Sequence, residues 1–191
     1  MGHKGVYSPQ ATTRESLVSY AVRPLVLDDA DFVASYFNDA DDAFLHKLGV
    51  APEKVPSHEE YWQSMVRDLE APKSQKDRFY LVWELDGLGV GFSSIDSITM
   101  GKQANMHLHV AVSAERMKGH GAAFVKRSVP IYFDQFDLEV LYCEPNAFNT
   151  APNRALQKAG FEYVETVETV PGPINFHQPV TRWKITREML G

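Results

Sequence analysis

Two glycines close a short basic segment that lies between a predicted strand and a predicted helix. The segment reads Arg116-Met117-Lys118-Gly119-His120-Gly121-Ala122. Glycine lacks a Cβ, so the backbone can turn tightly and a bulky anion can approach it closely. The unpaired N–H groups that open a helix, together with the helix dipole, favour negative charge. We therefore expect residues 116–122 to bind a diphosphate, with Arg116 and Lys118 adding positive charge at its edge. An ordinary tight turn would also suit the two glycines.

Two histidines alternate with apolar residues in the strand that precedes this segment. His107 and His109 project from one face of that strand, whereas Met106 and Leu108 project from the other. We expect the histidine face to be the wetter one. The ordinary pKa of an imidazole lies near neutrality, so His107 can accept the proton that an amine must lose before it attacks a carbonyl. The alternatives are that both histidines are partly buried and hydrogen-bonded, or merely solvent-facing. Two histidines without a third ligand give no reason to expect a metal.

Polar residues follow the next predicted strand, which runs from Leu138 to Cys143. Glu144 lies at its carboxyl end, where open α/β sheets commonly bind ligands, and is a second candidate base or amine anchor. It could equally be a surface carboxylate at the strand end. Asn146 can orient a group by hydrogen bonding but cannot act as a base at neutral pH. Cys143, the single cysteine, is more typical of an inert core residue than of an acyl-carrying nucleophile.

The two strand-to-helix segments resemble those of the GCN5-related N-acetyltransferase (GNAT) family. The first has neither the Gly-Lys-Ser/Thr of a Walker loop nor the third glycine of a dinucleotide fingerprint. Its pattern, Arg-x-x-Gly-x-Gly after a strand, resembles the acyl-CoA diphosphate loop of the family. The second segment, residues 149–161, reads N-x(4)-R-x-L-x-K-x-G-F and is similar to the other family signature. The resemblance covers about residues 20–188.

This resemblance implies a fold, a co-substrate and a set of contacts. The fold is that of the acyl-CoA N-acyltransferases, an α/β fold with a mixed, mostly antiparallel central sheet of about seven strands flanked by helices. The co-substrate is acetyl-CoA. Backbone groups of Val110, Ala111 and Val112 would bind its pantetheine arm, and residues 116–122 would bind its diphosphate. Asn149 would hold acetyl-CoA near its thiol end, and Asn153 is also assigned to acetyl-CoA binding.

Two branches of the family are most similar to this chain, and the chain departs from both. Its layout and length resemble the ribosomal-protein alanine acetyltransferases. Met106-His107-Leu108 followed by Glu144-Pro145-Asn146 resembles the siderophore-biosynthesis and aminoglycoside 6'-acetyltransferases, in which a strand histidine and an aspartate serve catalysis. Here Asn146 stands in place of that aspartate. Leu156, which cannot donate a proton, occupies the position where many family members have a tyrosine.

We predict His107, Glu144 and Asn146 as the catalytic set, with no metal. The predicted function is direct transfer of an acetyl group from acetyl-CoA to a primary amine of a small molecule or a peptide N-terminus, with general-base assistance. The partners expected are acetyl-CoA and an amine acceptor. The alternative is a regulatory module that binds acyl-CoA without turnover, because Asn146 and Leu156 replace groups that often take part in catalysis.

Hydrophobic periodicity and turn residues predict the elements that position these side chains. The predicted order is βααβββαβαββ, a mixed sheet covered by helices. Ser57 and Glu60 form a capping-box pattern that opens the second helix. A loop over residues 171–179, with three prolines, joins the last two strands. It is expected to line the acceptor pocket, or to form a dimer contact or an ordinary long loop.

Length and composition limit the class of protein. With 191 residues, 44% of them hydrophobic and 23% charged, the chain suits one globular domain. We assign it to residues 19–191, after a flexible leader at residues 1–18. A net charge of −6 argues against a nucleic-acid partner. The absence of an apolar run of membrane-spanning length and of a signal-peptide pattern predicts a cytoplasmic protein without a membrane partner. A homodimer is the base-rate expectation.

Overall fold

The computed structural model describes residues 18–116 and 118–191. The predicted leader, apart from Val18, and Met117 lie outside the described residues. The strands and helices follow one another as β1 (Tyr20–Pro24), α1 (Ala30–Asn38), α2 (Asp42–Leu48), α3 (His58–Glu70), β2 (Phe79–Leu85), β3 (Leu88–Thr99), β4 (Gln103–Val110), α4 (His120–Phe136), β5 (Val140–Cys143), α5 (Thr150–Ala159), β6 (Glu162–Thr169) and β7 (Gln178–Thr186). Within these two ranges, no helix is both long enough and apolar enough to cross a membrane.

The strands form one seven-stranded sheet in the order β1-β2-β3-β4-β5-β7-β6. Neighbouring strands are antiparallel except for β4 and β5, which are parallel. Pro24 lies in the edge strand β1, where its missing N–H removes no hydrogen bond from the centre of the sheet. The predicted mixed and mostly antiparallel sheet is confirmed.

A gap opens in the middle of the sheet, between the carboxyl ends of β4 and β5. The two strands pair from Gln103–Val140 to Met106–Cys143, whereas β4 continues to Val110. The chain after β5 follows β7 instead, because Thr181 N–H donates to the Pro145 carbonyl at 3.0 Å. In the part of the chain that the structure describes, no strand therefore pairs with the backbone groups of β4 that face β5 beyond Met106. Such groups need other hydrogen-bond partners, which water or a ligand can supply.

Helices cover both faces of the sheet and enclose two apolar clusters. Helices α4 and α5 pack on one face around residues such as Met106 and Phe124. Helices α1 to α3 pack on the other face around residues such as Phe37 and Phe92.

Alternation along β4 directs His107 towards the face that α1 to α3 cover. Ser94, which is opposite His107 in the β3–β4 register, points the same way. His107 and His109 project from one face of β4 and Met106 and Leu108 from the other, as predicted. The expectation that the histidine face is the wetter one holds at His107 but is wrong at His109, which lies among the rings of Tyr36, Phe37 and Phe92.

The helix boundaries show which sequence signals were strong enough to predict a helix. At the start of α3, Ser57 N–H donates to Glu60 Oε2 at 2.9 Å and Glu60 N–H donates to Ser57 Oγ at 3.3 Å, which confirms the predicted capping box. The predicted order contained two helices before β2, which is wrong, because α2 is a third. This helix has only seven residues, too few for a clear apolar periodicity. Its ends are nevertheless marked, by Asp41, whose Oδ1 accepts from Phe44 N–H at 2.7 Å, and by Gly49 at φ +80°.

Candidate active site

The gap between β4 and β5 opens into a cleft that collects the predicted catalytic residues. His107 lines it from β4, and Glu144, Asn146 and Asn149 line it from the segment after β5. The segment 171–175 forms a further wall, as predicted for the loop between β6 and β7. This loop is held against the segment that follows α2. Ala51 N–H donates to the Ile174 carbonyl at 2.9 Å, and Asn175 Nδ2 donates to the Gly49 carbonyl at 2.8 Å.

His107 belongs to a row of three interacting polar side chains on the floor of the cleft. Its Nε2 lies 3.0 Å from Asp96 Oδ2, and Arg78 Nη2 lies 3.2 Å from the same oxygen. Burial disfavours the charge on Asp96, but the hydrogen bond and charge of His107 and the charge of Arg78 outweigh that effect. The pKa of Asp96 therefore lies below its ordinary value. A carboxylate beside Nε2 favours the tautomer with the proton on Nε2 and leaves a lone pair on Nδ1.

His109 shares the face of His107 but lies in apolar surroundings. Its ring centroid is 4.9 Å from that of Tyr36, 5.3 Å from that of Phe37 and 4.8 Å from that of Phe92. Burial among these rings lowers the pKa of His109 to about 3, and the charges of His107 and Arg78 add to the effect. His109 is therefore a neutral wall residue at physiological pH. Of the two histidines, only His107 has the polar surroundings of a base.

Glu144 forms part of an ion-pair chain. Its Oε1 lies 2.5 Å from Arg182 Nε, and Arg182 Nη1 lies 2.6 Å from Glu165 Oε1. The hydrogen bond that Arg182 donates to Glu144 is the largest influence on the pKa of Arg182; it outweighs burial and holds this pKa above its ordinary value. The Glu144 carboxylate thus faces the cleft with its charge already paired.

The three predicted asparagines lie in or beside the turn between β5 and α5, and two of them hold it in place. Asn146 Nδ2 donates to Gln178 Oε1 at 2.6 Å, and its Oδ1 accepts from Phe148 N–H at 2.8 Å. Asn153 donates to the carbonyls of Asn146 and Asn149 and accepts from Trp183 Nε1 at 2.8 Å. The side chains of Asn146 and Asn153 therefore fix the turn. Asn149, which lines the cleft as the residue before α5, is the best placed of the three to contact a ligand.

Arg116 turns back onto the end of β4. Its Nε donates to the Val110 carbonyl at 2.9 Å and its Nη2 donates to the Ala111 carbonyl at 3.0 Å. Its guanidinium lies 4.1 Å from the ring centroid of Phe44 in α2. The N–H groups of Ala111 and Val112 both donate to the Val90 carbonyl, a double pairing typical of a bulge. Arg116 thus shapes the chain that leads from β4 to the glycine turn.

The glycine turn opens α4 in the predicted way. Gly119 has φ +86°, and a Cβ built on it would meet no atom within 4 Å, so its conformation rather than crowding favours glycine. Lys118 and His120 converge on one carboxylate: Lys118 Nζ lies 3.0 Å from Glu115 Oε1 and His120 Nε2 lies 3.3 Å from Glu115 Oε2. His120 Nδ1 also lies 2.7 Å from the Tyr20 hydroxyl.

Two features of this region fit acetyl-CoA. The 17-residue helix α4 has no acidic residue in its first turn, so its N–H groups and dipole are available to an anion such as a diphosphate. Beyond Met106, the edge of β4 that faces β5 can offer N–H and C=O groups to an amide-containing arm. At the predicted residues 110–112, however, Arg116 binds the Val110 and Ala111 carbonyls and Val90 accepts from the Ala111 and Val112 N–H groups. Gly121 serves packing, because a Cβ on it would lie 3.4 Å from Ala155 Cβ in α5. Ala122 follows it in the first turn of α4.

Sequence analysis missed two residues of the cleft, Asp96 and Arg78. Asp96 is opposite Asn105 in the β3–β4 register, which makes it a diagonal neighbour of His107 on the same face. A carboxylate in the interior of a long strand is the signal that could have indicated it. The prediction that Cys143 is a core residue is confirmed: it is buried, and this burial is the main cause that raises the pKa of its thiol. Leu156 is fully buried as well.

The fold and the cleft define a class of protein, the acyl-CoA N-acyltransferases. Residues 21–162 match the acetyltransferase (GNAT) domain family, and the chain belongs to this family. It is accordingly an acetyl-CoA-dependent N-acetyltransferase. The predicted family, fold and co-substrate are confirmed.

Comparison with solved structures shows the same fold over most of the chain. Aminoglycoside acetyltransferase AAC(6')-Ib in complex with coenzyme A has 19% identity and a TM-score of 0.69, covering 90% of this chain and 96% of that one. Spermidine N-acetyltransferase from Vibrio cholerae in complex with CoA and spermine has 15% identity and a TM-score of 0.72, covering 90% and 97%. Mycobacterium smegmatis RimJ in complex with CoA-disulfide has 21% identity and a TM-score of 0.68, covering 90% and 83%. A search of curated proteins found no sequence match.

Proposed function

We propose that this N-acetyltransferase transfers the acetyl group directly to a primary amine, with His107 as the general base and Asp96 as its positioning residue. The acceptor amine belongs to a small molecule or to a peptide N-terminus. The observation that carries the proposal is the 3.0 Å contact between His107 Nε2 and Asp96 Oδ2 beside the gap where β4 and β5 diverge.

An amine is protonated in water and becomes a nucleophile only after losing a proton. With its Nε2 proton held by Asp96, His107 can accept that proton on Nδ1, directly or through one water. The imidazolium that forms is stabilised by the adjacent carboxylate, as in other histidine–carboxylate pairs. The amine nitrogen then bonds to the acetyl carbon and the carbon–sulfur bond breaks. The acylated nitrogen gives up its second proton and the departing thiolate takes up one proton, so that CoA leaves as its thiol.

Acetyl-CoA supplies an activated acetyl thioester, and several groups of this chain would hold it. The N–H groups at the start of α4, preceded by Gly119, would bind the diphosphate. The unpaired edge of β4 beyond Met106 would bind the pantetheine amides. Asn149, at the cleft side of the α5 start, would contact the thiol end. These groups keep the thioester beside His107, and proximity of the reactants itself lowers the barrier.

Glu144 and Asn146 have supporting roles in this mechanism. Glu144 is a weaker candidate base than His107, because Arg182 Nε already donates to its Oε1 at 2.5 Å. It faces the cleft as an anchor for the acceptor. Asn146 keeps the turn after β5 in place through its bonds to Gln178 and Phe148.

His107→Ala and Glu144→Gln test the assignment of the base. Since a positioned base contributes about 10²–10⁴-fold, we expect kcat/KM for the amine to fall by at least about 100-fold in His107→Ala and by less than about tenfold in Glu144→Gln. The measurement is thiol release from acetyl-CoA as a function of pH, with calorimetry of acetyl-CoA binding as the control. Full activity of His107→Ala would overturn the role of His107. Binding of acetyl-CoA by the unaltered protein with no transfer to any amine would favour the non-catalytic module.

A further inference from the structure

We infer that Glu115 competes with the diphosphate of acetyl-CoA for side chains of the glycine turn, and that it thereby lowers the affinity of this enzyme for its co-substrate. The inference rests on the proposed function, because it concerns the diphosphate that the N–H groups at the start of α4 bind. It gives a role to a carboxylate that lies beside this site and takes no part in the transfer of the acetyl group.

Glu115 holds Lys118 and His120 through separate oxygens. Its Oε1 lies 3.0 Å from Lys118 Nζ, and its Oε2 lies 3.3 Å from His120 Nε2. The side chain of Glu115 is only 19% exposed, so the carboxylate has lost part of its water and depends on these two partners. Its backbone is fixed as well, because Glu115 N–H donates to the Val112 carbonyl at 3.0 Å, just after β4.

His120 fixes the position of this carboxylate beside α4. His120 is the first residue of the helix, and its side chain is 14% exposed. Its Nδ1 lies 2.7 Å from the Tyr20 hydroxyl. Because Tyr20 occupies one ring nitrogen, the other ring nitrogen is directed at Glu115. The carboxylate therefore lies next to the first turn of α4, where the positive end of the helix dipole favours an anion.

The charged side chains of the turn are thus engaged within the protein. The charge of Lys118 is offset by Glu115, and the guanidinium of Arg116 binds the carbonyls of Val110 and Ala111. A diphosphate that approaches α4 meets the Glu115 carboxylate as a like charge. It can bind Lys118 only if Lys118 leaves Glu115. Both effects lower the affinity for the diphosphate.

This weakening acts on the substrate and on the product alike. The diphosphate belongs to acetyl-CoA before the transfer and to CoA after it. Binding energy that is the same in both states raises affinity without accelerating the transfer, and tight binding of CoA delays its departure. A carboxylate that competes with the diphosphate therefore favours the release of CoA.

Glu115→Gln tests the inference on the full chain, because it removes the charge and keeps the shape of the side chain. We expect the Kd of acetyl-CoA, measured by calorimetric titration, to fall by at least about threefold at about 20 mM KCl. The Kd of CoA should fall by the same factor. Since salt screens exposed charges, the factor should approach one at about 1 M KCl. A change that merely repacked the turn would not depend on salt in this way.

Glu162→Gln is the matched control. Glu162 also pairs with a lysine, Lys184, at 3.9 Å, and it lies in β6, at the opposite edge of the sheet from β1. Its substitution removes the same charge from the chain, so the Kd of acetyl-CoA should not change. In a Lys118→Met background, the gain from Glu115→Gln should be smaller, because no lysine remains for Glu115 to hold.

The outcomes separate this inference from the proposed function. If Glu115→Gln binds acetyl-CoA as tightly as the unaltered protein, or more weakly, the inference is wrong, and the proposed function still stands on the kinetics of His107→Ala. Tighter binding that persists undiminished at high salt, that Glu162→Gln reproduces, or that is equally large in the Lys118→Met background also overturns the inference. If acetyl-CoA binds to neither protein, the inference and the proposed function are both overturned.

Discussion

His107 and Asp96 approach to 3.0 Å between Nε2 and Oδ2, although they come from two strands and are 11 positions apart in the chain. The β3–β4 register produces this contact, because Asp96 is opposite Asn105 and Ser94 is opposite His107. The carboxylate therefore approaches the imidazole diagonally, on the face that lines the cleft. Its position explains how a histidine on a regular strand can have a fixed tautomer.

Asp96→Asn should impair catalysis without weakening acetyl-CoA binding. The amide oxygen can still accept the Nε2 proton, so the ring keeps its orientation, but the imidazolium loses the negative charge that stabilises it. We expect kcat to fall by about 10-fold to 100-fold, which is less than the about 10²–10⁴-fold that a positioned base itself contributes. The measurement is the pH profile of thiol release, with KM for acetyl-CoA recorded in parallel.

Asp86→Asn is the control for this carboxylate. Asp86 lies in the β2–β3 turn at φ +51°, a conformation that asparagine tolerates, and its Oδ1 accepts from Ser19 N–H away from the cleft. The pH profile of Asp86→Asn should match that of the unaltered enzyme. A kcat that stays unchanged in Asp96→Asn would contradict a positioning role for Asp96.

Gly119→Ala should weaken acetyl-CoA binding. At φ +86° an alanine costs about 1–2 kcal/mol relative to glycine, and relief of this strain would rotate the first N–H groups of α4 away from the diphosphate. We expect the Kd of acetyl-CoA to rise by about tenfold. Calorimetric titration measures this change.

Gly101→Ala separates binding from strain. Gly101 lies in the β3–β4 turn and also has a left-handed conformation, at φ +72°, and a Cβ added to it would meet no atom within 4 Å. Its substitution should lower the free energy of unfolding by a similar amount and leave the Kd unchanged. Equal Kd values for the two variants would exclude a role of the Gly119 turn in binding.

Arg116 and Lys118 should differ sharply in their contributions to stability. Hydrogen bonds from a charged group contribute about 1.5–3 kcal/mol each, and Arg116 donates to two carbonyls and covers Phe44. We expect Arg116→Met to lower the free energy of unfolding by about 2–3 kcal/mol. Lys118 is half-exposed in its pair with Glu115, and an exposed pair of this kind is worth about 0–1 kcal/mol.

Urea unfolding with and without acetyl-CoA measures both effects. If Arg116 acts by positioning the end of β4, Arg116→Met should lower the stability of the free protein as well as the stabilisation by acetyl-CoA. A variant that loses only the stabilisation by acetyl-CoA would show instead that Arg116 binds the ligand directly.

The sequence predicted those parts of the site that depend on residues close together in the chain. The glycine turn, the Ser57 capping box and the alternation along β4 each depend on a few consecutive residues, whose conformational preferences act at short range. The interaction of Asp96 with His107 depends instead on strand register, which sequence spacing alone does not define. The bond from Trp183 Nε1 to Asn153 Oδ1, 30 residues apart, is of the same kind. Helix α2 was missed because about two turns carry too little periodicity to stand out from a loop.

His109 makes the stability of the protein depend on pH. Its pKa is about 3 in the folded state and about 6.5 in an unfolded chain, so the unfolded chain binds a proton that the folded chain excludes. The contribution of neutral His109 is fully present above pH 6.5 and is lost as the pH falls towards 3. Each pH unit inside this window costs about 1.4 kcal/mol.

His109→Gln should remove this dependence, because glutamine does not titrate and can still hydrogen-bond the Tyr36 hydroxyl, which lies 3.3 Å from His109 Nδ1. Between pH 7 and pH 5 the free energy of unfolding should fall by about 2 kcal/mol more in the unaltered protein than in the variant. The difference between the two urea-unfolding curves cancels the titration of every other group, so it isolates this histidine. Parallel pH dependences in the two proteins would mean that His109 is protonated in the folded state.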